Sequence, residues 1–90
     1  MEGIKILIYN KKPKKNEEAK VSNIEPQNDN EGIIGAWLNE KVSGWIDESI
    51  TKVIPDLKAF LLGKGVTITS ENQNTEYQYE IIVEISKNKP

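Results

Sequence analysis

The ninety-residue chain contains no histidine, no cysteine and no arginine; all twelve of its basic residues are lysine. Without histidine, the side chain whose ordinary pKa lies nearest neutrality is missing. Without cysteine, neither a disulfide nor a thiolate site reinforces the core. Lacking both, the chain all but excludes zinc, haem and iron–sulfur ligation. The absence of arginine removes the bidentate fork that reads guanine or clamps phosphate. Carboxylates, lysine, serine or tyrosine would have to carry any catalysis. The expectation is therefore a non-enzymatic protein with no catalytic residues, no metal and no cofactor.

Long apolar runs are missing too. The run "IKILIY" (4–9) is too short to span a bilayer, and nothing basic precedes it as in a signal peptide. A soluble, cytoplasmic protein with no membrane partner is expected. Fourteen acidic residues against twelve lysines leave a net charge of −2. The length allows a single small domain, residues 1–90, that buries about 60–65% of its unfolded surface.

Within "IKILIY" Ile4, Ile6 and Ile8 share one face of a strand, and Lys5, Leu7 and Tyr9 share the other. Residues 11–30 that follow are rich in Asn, Lys, Glu and Pro. Their stretch "AKVSNI" (19–24) has two readings, an edge strand hairpinned to the first or part of a mobile loop. Composition favours the polar, mobile loop over 11–30.

From Glu31 the pattern turns helical. Apolar pairs fall at Ile33-Ile34, Trp37-Leu38, Trp45-Ile46, Val53-Ile54 and Leu61-Leu62, with Val42, Ile50 and Leu57 between them. Asp29 or Asn30 is the expected N-cap, with Glu31 in the first turn. Gly63 and Gly65 around Lys64 mark the C-terminal end and a turn. "GKG" is not a phosphate loop, because it lacks the spaced glycines and trailing hydroxyl and precedes a strand. A spacing of four overshoots each turn by ~40°, so the stripe from Ile33 to Leu61 rotates by ~280°. One straight helix cannot bury such a stripe against a flat sheet. Either the segment is kinked or broken near Pro55, or part of the stripe faces another chain.

The last third reads as a hairpin: "VTITS" (66–70), a polar turn "ENQN", then "TEYQYEIIVEIS" (75–86). Tyr77, Tyr79, Ile81, Val83 and Ile85 alternate with Glu76, Gln78, Glu80, Glu84 and Ser86, interrupted by Ile82. The predicted fold is α+β, in the order β-α-β-β. Its three-stranded antiparallel sheet has order 1-3-2 and one face covered by the helical segment.

Four surfaces are candidate sites. The cluster Lys11, Lys12, Lys14 and Lys15 reads as a solvated loop rather than a nucleic-acid hand, because acidic residues follow and no arginine or aromatic is interleaved. Trp37 and Trp45 lie ~80° apart round a helix and suit core packing, an interface anchor or a stacking platform. Gly44 beside Trp45 favours close approach of another backbone or ring. Leu7 and Ile82 point away from the helix and form a small apolar patch if their strands are neighbours. Glu76, Glu80 and Glu84 read as a solubilising face.

The β-α-β-β order, closed by "NTEYQYEIIVEISKN", loosely resembles the dodecins, small flavin-binding proteins that form hollow oligomers. The likeness covers the hairpin and the general topology; the polar insertion after the first strand and the lack of tryptophan near the hairpin depart from it. The expected function is a protein-interaction or assembly module of the small regulator or inhibitor class. It binds another protein or copies of itself as a homo-oligomer, through the helix around Trp37, Val42 and Trp45 and the sheet patch of Leu7 and Ile82. The alternative is a binder of a planar, flavin- or nucleotide-like molecule on Trp37 or Trp45. Nucleic acid is not expected as a partner.

Overall fold

The computed structural model describes residues 3–12, 14–75 and 78–85. In chain order these are strands β1 (Ile4–Lys11) and β2 (Lys20–Gln27), helices α1 (Ile33–Asn39), α2 (Val42–Trp45) and α3 (Ile50–Gly63), and strands β3 (Val66–Thr75) and β4 (Gln78–Ile85). The strands form one antiparallel sheet in the order β2-β1-β4-β3. The architecture is α+β, with the helices packed on one face.

The expected three-stranded sheet in order 1-3-2 is thus corrected to four strands. The missing strand, β2, lies inside the stretch 11–30 that composition assigns to a loop. Its Val21 and Ile24 are buried in the core beside Ile6 and Ile8, and Ile24 is paired directly with Ile8. Burying two aliphatic side chains stabilises by roughly 1.5–3 kcal/mol each, which is enough to hold a short, otherwise polar strand on an existing edge. The β-α-β-β order becomes β-β-α-α-α-β-β, and the dodecin analogy that rested on the former order falls with it.

β3 also runs further than expected. Residues 71–74, read as a turn, continue the ladder against β4, with Glu71 opposite Ile81 and Gln73 opposite Tyr79. Polar side chains are tolerated there because Glu71, Asn72 and Gln73 sit exposed on an edge strand. The ladder ends with Thr75 paired to Gln78. Glu76, Tyr77 and Ser86, placed in the last strand by alternation, lie outside the described residues.

The helical segment is broken, but not at Pro55. α3 continues through Pro55. Both Pro55 and Thr51, four residues before it, are exposed, so the carbonyl that loses its N–H partner is on the solvent side. The principal break lies at 46–49. Ile46 is extended (ψ 135°), Asp47 is left-handed (φ 71°) and Ser49 is again extended (ψ 136°) before α3 starts. Aspartate tolerates a left-handed backbone better than most residues. A milder bend at 40–41 separates α1 from α2. The breaks re-phase the rotating stripe, and Ile34, Leu38, Trp45, Ile50, Val53, Ile54, Leu57 and Leu61 are all buried in one core with Ile81 and Val83. Among the described residues Leu62 is the large apolar side chain left exposed, at 61%.

The helix ends differ in origin. The N-cap position of α1 is Gly32 in a left-handed conformation, not Asp29 or Asn30. Asp29 still satisfies a first-turn donor, since its Oδ2 accepts the Gly35 N–H at 2.8 Å. At the far end Gly65 (φ 81°) follows the Lys64 cap and donates to the Leu62 carbonyl, as the sequence leads one to expect.

Candidate interaction surface

The 46–49 break brings the α2 end against two neighbours at once. Towards the sheet, the Asp47 N–H donates to the Val21 carbonyl, the Val21 N–H to Glu48 and the Ile50 N–H to Ala19. Lys11 pairs with the Asp47 carboxylate, and Ser49 Oγ donates to Glu18. The Lys11 hydrogen bond, its charge and, more weakly, the charge of Lys20 hold the Asp47 pKa below its ordinary 3.8 against a small opposing desolvation. Lys11 is thus tied to the fold, while Lys12 and Lys14 line an open depression with Glu17, Glu18, Lys20 and Asp47. The lysines and acids there are mixed, so no single-sign surface forms.

Away from the sheet, α2 and α3 carry an aromatic group. Trp45 is 7% exposed and meets Phe60 edge-on, with ring centroids 6.1 Å apart and planes at 76°. Lys41 Nζ lies 5.6 Å from the Phe60 centroid; Lys64 Nζ lies 5.6 Å from Phe60 and 5.4 Å from the half-buried Trp37. Each such cation–ring contact contributes about 0.5–1 kcal/mol where exposed. Trp45 is therefore a core residue, whereas Trp37 and Val42 are half-buried and pack on the core margin. The structure brings Trp37 and Trp45 to the same helical layer but leaves only Trp37 partly open.

Beside Trp45 lies an open cleft of about 340 Å³, lined by Glu40, Lys41, Gly44, Trp45, Lys52 and Asp56 among others. A second depression over Ala59 and Phe60 shares Lys41, Trp45 and Asp56 with it. Gly44 is in right-handed helix at the rim, and a Cβ built on it meets no heavy atom of the described residues within 4 Å. Lys52 pairs with Glu48 at 3.5 Å. Among the described residues, neither the Glu40 nor the Asp56 carboxylate has an ion-pair or hydrogen-bond partner.

On the opposite face of the sheet Leu7 and Ile82 are diagonal neighbours, because Lys5 faces Ile82 and Leu7 faces Glu80. The other diagonal is an ion pair, Lys5 to Glu80 at 2.9 Å. Leu7 is buried and Ile82 half-buried. The patch is real, but an ion pair crosses it and little of it is open. Among the described residues no group of three or more carboxylates is placed to hold a metal. No helix among them is long and apolar enough to cross a membrane.

Sequence reasoning singled out Trp37, Trp45 and Gly44 but missed Glu40 and Asp56. Acidic residues on exposed helix positions carry no signal of their own; only the fold places them on one cleft. No family model matches the chain, and no curated protein or solved structure matches it either.

Proposed function

We propose that the chain is a non-enzymatic protein-interaction module, of the small regulator or inhibitor class, that binds another polypeptide through its helical face. The observation that carries the reading is Gly44. A glycine inside a helix costs about 1 kcal/mol relative to alanine. Here neither a left-handed backbone nor, among the described residues, a neighbouring atom requires it. Close approach of a partner's backbone over the cleft gives it a reason.

The homo-oligomer reading loses its main premise, because the break at 46–49 lets the chain's own sheet cover the apolar stripe. A second copy is thus one of the partners to be tested rather than the favoured one. The planar-ligand reading is weaker, with Trp45 in the core and the Lys64 ammonium near the Trp37 ring. Nucleic acid is disfavoured by mixed charges around the lysine cluster and by a net charge of −2.

The test is affinity purification from the producing cells with two baits, the wild type and Gly44→Arg, followed by intact-mass analysis. Sedimentation of the purified wild type separates a second copy from a different chain. A stoichiometric polypeptide held by the wild type and lost by the folded variant supports the proposal. Identical recoveries from both baits contradict it.

A further inference from the structure

We propose that the cleft between α2 and α3 takes a lysine or arginine side chain of the partner, whose backbone passes over Gly44. The inference rests on the protein-interaction reading above and adds the chemistry of what is bound.

The charges that line the cleft are not equivalent. Lys52 is engaged by Glu48 at 3.5 Å, and the Lys41 ammonium lies over the Phe60 ring. The lining carries three carboxylates, Glu40, Glu48 and Asp56, against two lysines, so a net negative charge remains. Among the described residues the carboxylates of the lining without an ion-pair partner are Glu40 and Asp56. The cleft therefore offers negative charge around a floor formed by Trp45 and Val53.

An occupant must match both features. An acidic side chain would meet two unpaired carboxylates. An aliphatic one would cover the floor but strip water from those carboxylates without replacing its hydrogen bonds, which is unfavourable. Lysine and arginine combine an apolar stem with a cationic head. The stem covers the open margin of the Trp45 and Val53 floor and the head reaches Glu40 and Asp56. Gly44 supplies the remaining requirement. A side chain of this length reaches the floor only if its backbone comes close to the rim, and a missing Cβ lets it do so.

The test is a ¹⁵N–¹H NMR titration of the intact chain with acetyl-Gly-Leu-Arg-Leu-Gly-amide and with its counterpart carrying glutamate for arginine. The expected result is a shift of the Gly44, Trp45 and Asp56 amides with the basic peptide only. Affinity should fall at least about tenfold when salt rises from ~0.1 M to ~1 M, which shortens the screening length from ~10 Å to ~3 Å. The double substitution Glu40→Gln with Asp56→Asn should cause a comparable loss while the spectrum stays folded. Equal response to both peptides, no response at these amides, or undiminished affinity in the double variant overturns the inference. The double variant as a third affinity bait separates the two proposals. If it keeps the polypeptide that Gly44→Arg loses, the interaction reading stands and the cationic side chain is ruled out; if both variants lose it, both proposals are supported.

Discussion

The Asp47 backbone N–H donates to the Val21 carbonyl at 2.8 Å, and this one bond links the break in the helical layer to the outer edge of the sheet. β2 is an edge strand, and an open edge invites pairing with another chain. The segment after α2 covers part of that edge, with Lys20 and Ser49 forming a bridge, and Pro26 removes a donor further along. The left-handed turn at Asp47 thus serves two ends. It re-aims the apolar stripe onto the core and covers part of the sheet's β2 edge.

β2 is therefore part of the fold and not a dispensable loop. Ile24→Ala should cost about 2–5 kcal/mol. At ~4–8 °C per kcal/mol for a domain of this size, the thermal midpoint should drop by at least ~8 °C. Replacing residues 11–28 with a flexible linker should cost more still. A midpoint that stays put in calorimetry would mean that Val21 and Ile24 do not pack as described.

Asp29 acts as a remote cap for α1 through Gly35. Asp29→Ala should destabilise by ~0.5–2 kcal/mol and Asp29→Asn by less, because asparagine keeps an acceptor oxygen. Urea unfolding of the three proteins measures this directly. Equal midpoints would remove the cap from the account.

Asn10 is 7% exposed in the central strand, and its Oδ1 has no hydrogen-bond partner among the described residues. A buried acceptor left unsatisfied costs ~1–3 kcal/mol, so Asn10→Val should be neutral or stabilising. A loss above about 1 kcal/mol would show that the amide is satisfied in solution, for instance by water.

The Lys11–Asp47 pair predicts an acid-side effect. The folded pKa of Asp47 lies below its ordinary 3.8, so the pair adds stability above that value and loses it as pH falls through the folded pKa. Lys11→Met should return the Asp47 carboxyl titration, followed by NMR, towards 3.8. The exposed, screened pair should matter little near neutral pH. An unmoved titration would mean that Lys11 does not engage Asp47.

How much of this was legible depends on phase. In β1 and in the described part of β4 the alternation of Ile6, Ile8, Ile81 and Val83 keeps strict period two, and it reads directly as one buried face. In β2 the register shifts, with Tyr9 facing Asn23 and Asn10 facing Val21, so Ser22 is an extra residue. That bulge, held by Ser22 Oγ donating to the Tyr9 carbonyl at 2.9 Å, puts Val21 and Ile24 on one face at a spacing of three. A period-two reading cannot see them. The helical stripe was legible, but the site of its break was not. Proline is the obvious breaker in sequence, whereas Asp47 acts through bonds to residues more than twenty positions away. Trp37, Trp45 and Gly44 stood out by type; whether each is core or surface depends on that break.

The measurement closest to the central claim uses Gly44→Ala. Alanine should raise stability by up to ~1 kcal/mol through helix propensity, a rise of a few degrees in thermal midpoint. This more stable protein should nevertheless recover less partner polypeptide per mole of bait than the wild type does, with Gly44→Arg recovering least. A Gly44→Ala protein that is more stable and recovers the partner in full would contradict it, because the glycine would then have no partner to accommodate.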